Sequence, residues 1–532
     1  MNVAHYLPLR AEKSPETKAL YFLNSSWTFS ELNLKSDTYA HFLKKQGIEK
    51  GHRIILMVRP GVEFVALTFA LLKIGAISVL IDPGIGKQYL KHCIREVEPH
   101  GFIGIPKAHL LRWLWPSSFK TSLYNIVVGP KWFLGISTLP HSIKKTPFPM
   151  VETQDTDPAA IIFTTGSTGI PKGVIYEHGM FEAQIKILQK TYGIKEGEVD
   201  MPTFPLFVLF SVAMGTTSVI PDMDPTKPAQ CNPLTLTQTI LDHNVTYSFG
   251  SPALWNRITQ YCIEHKIHLP SMTLILIAGA PVPSTVLERF QKIVSPEARV
   301  YTPYGATEAL PVTSGEWGTS GYGTCVGKPL NELQVKIIRI TDQSILTWDK
   351  GDNSLEINPG TIGEIVVKGP MVTKSYFNRP KETSLAKIKD PTDGSFWHRM
   401  GDVGYIDSQG RLWFCGRKAH RVQTYSQTLY TIPCEAIFNQ HPEVFRSALV
   451  GVSKTPVIII ELKDKKNKSF EKISKISKMS KIKDELLILA RRHPHTQDIQ
   501  TILFHPSFPV DIRHNAKINR EKLALWAKEK LS

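Results

Sequence analysis

The chain has 532 residues, 42% hydrophobic and 21% charged. That is the balance of a globular protein, and the length is too great for one core, so about two or three domains are expected. The formal charge of +16 invites a nucleic-acid reading. No nucleic-acid-binding motif accompanies it, and much of the excess sits in one lysine-rich stretch, residues 463–483. The six cysteines (Cys93, Cys231, Cys262, Cys325, Cys415 and Cys434) are scattered with no C-x-x-C pair. They suggest neither a zinc site nor a disulfide framework, and point to a reducing cytoplasm. The opening residues MNVAHY lack the basic start and apolar core of a secretory leader.

In chain order, WTFSEL (residues 27–32) opens a helical pattern with Thr28 or Ser30 as its cap. Residues 51–58 read as a buried strand, 63–74 as a helix and 76–81 as the next strand. The run 64–81 is apolar enough to suggest a membrane span. Lys73 and Gly75 interrupt it and Asp82-Pro83-Gly84 ends it, so helix then buried strand is the better reading. Such alternation argues for a parallel sheet covered by helices.

The apolar residues 159–162 then feed FTTGSTGIPKG, residues 163–173. This loop packs three glycines, four hydroxyls and one lysine. Glycine lets backbone N–H groups turn toward an anion, the hydroxyls add donors, and Lys172 adds a mobile positive charge. The loop reads as a phosphate cradle. It is not a Walker loop, because no Gly-Lys-Ser/Thr closes it in the required register.

Further on, residues 274–278 read as a strand running into Gly279-Ala280-Pro281, and 364–368 as a strand of a later sheet or barrel. Residues 412–417 are a strand ending in a polar turn. Composition shifts after Gly401-Asp402, and a domain boundary near Gly416–Ala419 is expected, giving domains 1–416 and 417–532. The second would hold a helix over 435–440, strands over 448–452 and 457–462, the lysine-rich piece and a final helix. The lysine-rich piece reads as a solvated, partly disordered insertion, with attraction to an anionic membrane surface as the alternative.

The 163–173 loop resembles the signature loop of the adenylate-forming enzymes, the group of acyl-CoA synthetases, peptide-synthetase adenylation domains and luciferases. Five further segments resemble that family's motifs in the same order. YGATE (304–308) resembles Y-G-x-T-E, which implies that Tyr304 stacks near adenine and Glu308 holds Mg²⁺. A carboxylate beside a triphosphate needs a metal to offset repulsion, and Mg²⁺ favours hard oxygen ligands. Gly279, Ala280 and Pro281 resemble the turn along the adenine. RMGD (399–402) resembles R-T-G-D, which implies that Asp402 accepts hydrogen bonds from the ribose hydroxyls, a task for an acceptor-only group. Gly416-Arg417 resembles the next motif, whose arginine contacts ribose or phosphate. NAKINREKL (515–523) resembles S-G-K-I-x-R-x-x-L, which implies that Lys517 bridges the substrate carboxylate and the α-phosphate.

The resemblance therefore implies a catalytic set of Lys517, Glu308 and Arg417. It implies an ATP site formed by Thr164, Thr165, Gly166, Ser167, Thr168, Gly169, Lys172, Gly279, Ala280, Pro281, Tyr304, Gly305, Thr307, Asp402 and Arg417, with Glu308 and Thr165 toward the metal. It implies an α/β fold: a large N-terminal domain of two β-sheets with helices and a smaller barrel, then a small mobile C-terminal domain that carries the lysine in for adenylation and withdraws it. His178 sits where the family often has histidine at a helix start, and a cap or packing role is expected for it.

Finer segments bear on the acceptor. TFPLFVLF (203–210), VIPDMDPTKPA (219–229), WFCGRKAHRV (413–422), LYTIPCE (429–435) and FHPSFPVDIRHNAK (504–517) together resemble the β-lactone synthetases of bacterial long-chain olefin biosynthesis. That resemblance implies adenylation of a long-chain 2-alkyl-3-hydroxy fatty acid with ATP and Mg²⁺, then capture by its own 3-hydroxyl. It also implies pathway partners, a reductase upstream and a β-lactone decarboxylase downstream. Phe204, Phe207 and Phe210 could line an acyl tunnel or be core. Ala419 stands where many members have Asp or Lys at the hinge, and the loop 423–428 has no glycine. In CoA ligases that loop borders the pantetheine passage. The residues alone leave a long-chain acyl-CoA ligase or a fatty acyl-AMP ligase open.

Overall fold

Short runs of β-branched and aliphatic residues alternate with helices along the first three hundred residues, roughly, and the chain stacks them as parallel sheets, as such alternation dictates. The computed structural model describes residues 1–130, 136–164, 169–315, 321–349, 355–463, 472–510 and 518–532. Among them, one seven-stranded sheet has Arg53–Met57, Ile77–Leu80, Gly101–Gly104, Tyr124–Val127 and Pro158–Thr164 parallel, with Lys172–Glu177 antiparallel at its edge. A second seven-stranded sheet runs from Arg299–Tyr301 through Leu274–Ile277, Tyr247–Gly250 and Thr217–Ile220 to Lys18–Phe22. Its one antiparallel pairing is the hairpin to Ser25–Thr28.

The helix Val62–Ile74 lies in the largest core, and twelve of its residues are buried. Its buried cation explains the break in the apolar run. Lys73 is 1% exposed, and its Nζ donates to Asn33 Oδ1 at 2.7 Å, Ser36 Oγ at 2.7 Å and Asp37 Oδ1 at 2.6 Å. These partners sit on helix Phe29–Lys45, so the ion pair clamps two helices. Burial lowers the Lys73 pKa and Asp37 opposes the shift. Thr28, rather than Ser30, caps Phe29–Lys45, in a reciprocal capping box with Glu31.

The third sheet is antiparallel and eight-stranded, from Tyr304–Ala306 through Leu412–Arg417, Phe396–Ile406 and Gly363–Lys368 to Gln334–Ile338. The C-terminal unit pairs Val444–Val452 with Thr455–Leu462 antiparallel and adds Thr501–Phe504 parallel. Helix Thr431–Phe438 begins four residues before the expected 435. Pro433 is compatible with that start, because the first turn of a helix has no use for its N–H.

The lysine-rich stretch differs from the expectation of an insertion. Residues 464–471 lie outside the described ones, but Lys472–Arg491 is a helix. Ile482, Leu486 and Ala490, spaced one turn apart, are buried in the C-terminal core. Lys478, Lys481 and Lys483 are exposed, as a solvated run requires, and the buried stripe begins only at the end of the lysine-rich stretch with Ile482.

Candidate active site

A cleft of about 2430 Å³ opens where the three sheets and the C-terminal unit meet. Thr164, Lys172, Gly279, Ala280, Pro281, Tyr304, Gly305, Thr307, Glu308, Asp402 and Arg417 all line it. Gly169 is described but does not line it, and its φ is +159°. Thr165, Gly166, Ser167, Thr168 and Lys517 lie outside the described residues.

Local structure explains why residues so far apart in sequence converge. Pro158–Thr164 and Lys172–Glu177 form an antiparallel hairpin in which Thr164 faces Lys172. The expected phosphate loop is the turn of that hairpin, at the carboxyl end of a parallel strand, where ligands of open α/β sheets bind. Leu274–Ile277 delivers Gly279 in the same way, with φ +97°. Gly305 lies in the strand Tyr304–Ala306 that pairs with Ala309–Ser314, and a Cβ there would stand 2.7 Å from the Ala309 carbonyl oxygen.

Asp402 and Arg417 face each other directly across two antiparallel strands. Arg417 Nη1 lies 2.9 Å from Asp402 Oδ1, and the Tyr304 hydroxyl donates to Asp402 Oδ2 at 2.6 Å. Burial, with Asp402 adding to it, raises the Tyr304 pKa well above its ordinary value. Asp402 chiefly raises that of Arg417. Asp402 is 4% exposed, so both partners meet it away from bulk water. Gly416 has φ +131°, and a Cβ there would collide with the Thr431 hydroxyl of the C-terminal unit. Glycine is needed at that crossing.

Glu308 is gripped by residues outside every motif. The Tyr376 hydroxyl donates to its Oε1 at 2.7 Å. Its carbonyl accepts from the Thr373 N–H at 2.9 Å and Oγ1 at 3.2 Å. Just before it, the Thr307 carbonyl accepts from the buried Tyr176 hydroxyl. Burial, then Glu308, holds the Tyr376 hydroxyl far above the usual phenol range. Lys172 Nζ sits 4.5 Å from the centre of the Tyr376 ring, a cation–π contact. Behind it Lys387, 4% exposed, donates to Thr373, and burial pulls its pKa down to about 7. Tyr376, Thr373 and Tyr176 carry no sequence signal for this role. The antiparallel bridge between Tyr376 and Val174 brings the first two to the phosphate hairpin.

The C-terminal unit supplies the opposite wall. Arg520 Nη2 donates to both oxygens of Glu435 at 2.7 Å, and the Leu449 N–H donates to Glu435 Oε1 at 2.8 Å. Val510 and Ile518 line the cleft and pair as an antiparallel bridge, so the chain on each side of residues 511–517 is anchored at that wall. At the crossing between units, Lys418 Nζ contacts Glu364 Oε1 at 3.1 Å and the Thr341 carbonyl at 2.9 Å. Arg421 pairs with Asp342 at 3.0 Å. Ala419 lies in the turn Lys418–His420 between them.

At the far end the cleft is apolar. Phe204, Phe207 and Phe210 line it, the latter two from helix Phe207–Met214. Phe207 packs on Phe249 with ring centres 4.4 Å apart. Val208 and Val212 of the same helix are fully buried, so the greasy run is part wall and part core. Behind Phe210 lies a nearly apolar void of about 40 Å³, bounded also by Leu80, Phe181 and Leu206. His178 stands apart from the cleft. It is 1% exposed, its Nδ1 accepts from the Val3 N–H at 3.2 Å, and burial lowers its pKa to about 4. That is a packing role, as expected.

Among the described residues no three His, Cys, Asp or Glu side chains group as a metal cluster. A single gripped carboxylate fits a metal whose other ligands are phosphate oxygens and water, which is how Mg²⁺ is commonly held.

The hairpin that flanks the expected phosphate loop, a carboxylate–arginine pair and an apolar wall share one cleft. The AMP-binding enzyme family matches residues 7–377, and the chain belongs to that family. It is 43% identical to an olefin β-lactone synthetase of Xanthomonas campestris, across 99% of this chain and 97% of that protein. It is 44% identical to an olefin β-lactone synthetase of Stenotrophomonas maltophilia, across 94% and 91%. In fold it is similar to an anthranilate CoA ligase solved with anthranoyl-AMP, with a TM-score of 0.82 at 18% identity, covering 100% of this chain and 98% of that one.

Proposed function

We propose that the protein is an ATP-dependent, AMP-forming ligase of the β-lactone synthetase type. It adenylates a long-chain 2-alkyl-3-hydroxy fatty acid and closes the acyl-AMP to a β-lactone. The observation that carries this reading is the 43–44% identity, over nearly the whole chain, to two proteins named olefin β-lactone synthetase. The apolar wall beside the adenylate-type site is consistent with a long-chain substrate.

In the first step a carboxylate oxygen attacks the α-phosphorus of ATP and pyrophosphate leaves. In the second the 3-hydroxyl oxygen attacks the acyl carbon, the bond from that carbon to the AMP oxygen breaks, and the hydroxyl proton is lost. A hydroxyl two carbons from an activated carbonyl is an intramolecular nucleophile, so orientation replaces a second substrate. Ring strain opposes closure, which is why AMP is needed as leaving group.

In this reading the residues divide the work. The hairpin loop with Thr164 and Lys172 holds phosphates, and Asp402 with Arg417 holds the ribose. Glu308, oriented by Tyr376, would hold Mg²⁺ together with Thr165, and the metal would neutralise phosphate charge. Lys517 supports the charge that develops on the carboxylate and α-phosphate. Phe204, Phe207 and Phe210 receive an alkyl chain. The units divide near Gly416–Ala419, and the Lys418 and Arg421 pairs are the contacts that a rotation between half-reactions would exchange.

The test is product analysis by NMR. Enzyme, ATP, Mg²⁺ and a synthetic 2-alkyl-3-hydroxy fatty acid are mixed with and without CoA. A β-lactone and AMP formed without CoA support the proposal. A thioester appearing only with CoA would move the chain to the acyl-CoA ligases.

A further inference from the structure

Helix Pro106–Leu114 presents three faces to three surroundings. His109 is 3% exposed and its Nε2 lies 3.0 Å from the Ile126 carbonyl, so that face is core. Lys107, Ala108 and Leu111 line the cleft. Leu110, Trp113 and Leu114, again about one turn apart, are 40%, 79% and 59% exposed. A soluble helix normally turns polar residues to water, and an indole that open to solvent beside two exposed leucines makes a patch that marks an interaction surface.

The charge of the same segment says what covers it. The helix and the residues that follow it, 106–120, have no Asp or Glu and carry Lys107, Arg112 and Lys120. Lys107 and Lys120, which bracket the patch in sequence, are exposed. An anionic bilayer matches both the patch and its charge: tryptophan settles at the lipid interface, leucine enters the acyl region, and basic residues meet the headgroups.

We propose that the outward face of helix Pro106–Leu114 (Leu110, Trp113 and Leu114) docks on an anionic lipid bilayer, and that the cleft wall on the adjoining face of the same helix thereby meets the membrane that holds the substrate. The docking stands on the patch and its charge; the delivery of substrate rests on the long-chain reading above. A fatty acid with two alkyl chains partitions into bilayers, so an enzyme whose cleft opens beside its membrane contact spares the substrate a passage through water. No helix among the described residues is long and apolar enough to cross a membrane, so the contact is peripheral.

The test is flotation of the full chain with vesicles of phosphatidylglycerol and phosphatidylcholine, and with phosphatidylcholine alone. The wild type is expected to float with the anionic vesicles and to do so less as salt rises. The double variant Trp113→Ser, Leu114→Ser is expected to lose vesicle partition by at least about tenfold, while Trp113→Phe retains it. Neither change touches the cleft, so pyrophosphate release with a short, water-soluble 3-hydroxy acid is expected to stay unchanged. Turnover of a long-chain substrate presented in vesicles falls with the partition. Equal flotation of wild type and double variant overturns the proposal and moves the contact elsewhere, as does failure of the wild type to bind. If the vesicle result holds but no lactone forms, the docking stands and the functional reading fails.

Discussion

Tyr376→Phe isolates one hydroxyl in a site otherwise left intact. The ring is 5% exposed and its stacking under Lys172, 4.5 Å from the ring centre, does not depend on the oxygen. What disappears is the 2.7 Å bond to Glu308 Oε1. A hydrogen bond to a charged group is worth about 1.5–3 kcal/mol. If that energy serves to hold the carboxylate where Mg²⁺ needs it, kcat/KM for Mg-ATP falls about 10- to 150-fold, at about 1.4 kcal/mol per decade. The assay is pyrophosphate release with magnesium titrated at fixed ATP. The same titration is run on Glu308→Gln and on the double variant, with thermal melting to confirm the fold. In Glu308→Gln the tyrosine has no carboxylate to orient, so removing its hydroxyl there is expected to cost far less. A loss below about threefold, or a double variant whose losses simply multiply, would refute the claim that Tyr376 acts through Glu308.

Lys517→Ala is expected to cut adenylation by orders of magnitude while ATP still binds, read by pyrophosphate release against calorimetric binding; near-normal release would sink the assignment of the C-terminal motif. Lys73→Met leaves Asp37 buried without its cation and should cost about 3–5 kcal/mol, measured by denaturant unfolding; a loss under about 1 kcal/mol would show that the pair is not a clamp. His178 has its pKa lowered by burial from 6.5 to about 4, so the neutral form is the folded one. Its contribution is complete above pH 6.5 and is lost as pH falls through 4, on the order of 3 kcal/mol at about 1.4 kcal/mol per pH unit. Stability of His178→Asn should therefore fall less than that of the wild type between pH 6.5 and 4, and parallel curves would assign the acid sensitivity elsewhere.

Much of this protein was legible without its fold. The β-α-β rhythm of the first third, the break of the apolar run at Lys73, a helix cap at Thr28 or Ser30 and the strand that leads into the 163–173 loop all follow from local rules of period, capping and turn chemistry. Those features were readable because each is decided within a few neighbouring residues.

The tertiary structure alone decided what lies between distant segments. Tyr376 reaches Glu308 because an isolated bridge ties it to Val174, and Asp402 meets Arg417 through sheet register. Lys387 becomes a near-neutral amine only once it is enclosed. Whether Phe207 faces a cleft while Val208 faces a core is set by which side of one helix the sheets cover. The helix Lys472–Arg491 is another case: its described lysines stay solvated, while Ile482, Leu486 and Ala490 enter a core that only the assembled C-terminal unit provides. Local pattern specifies elements; desolvation and long-range pairing need the whole chain, because neither exists before the elements have met.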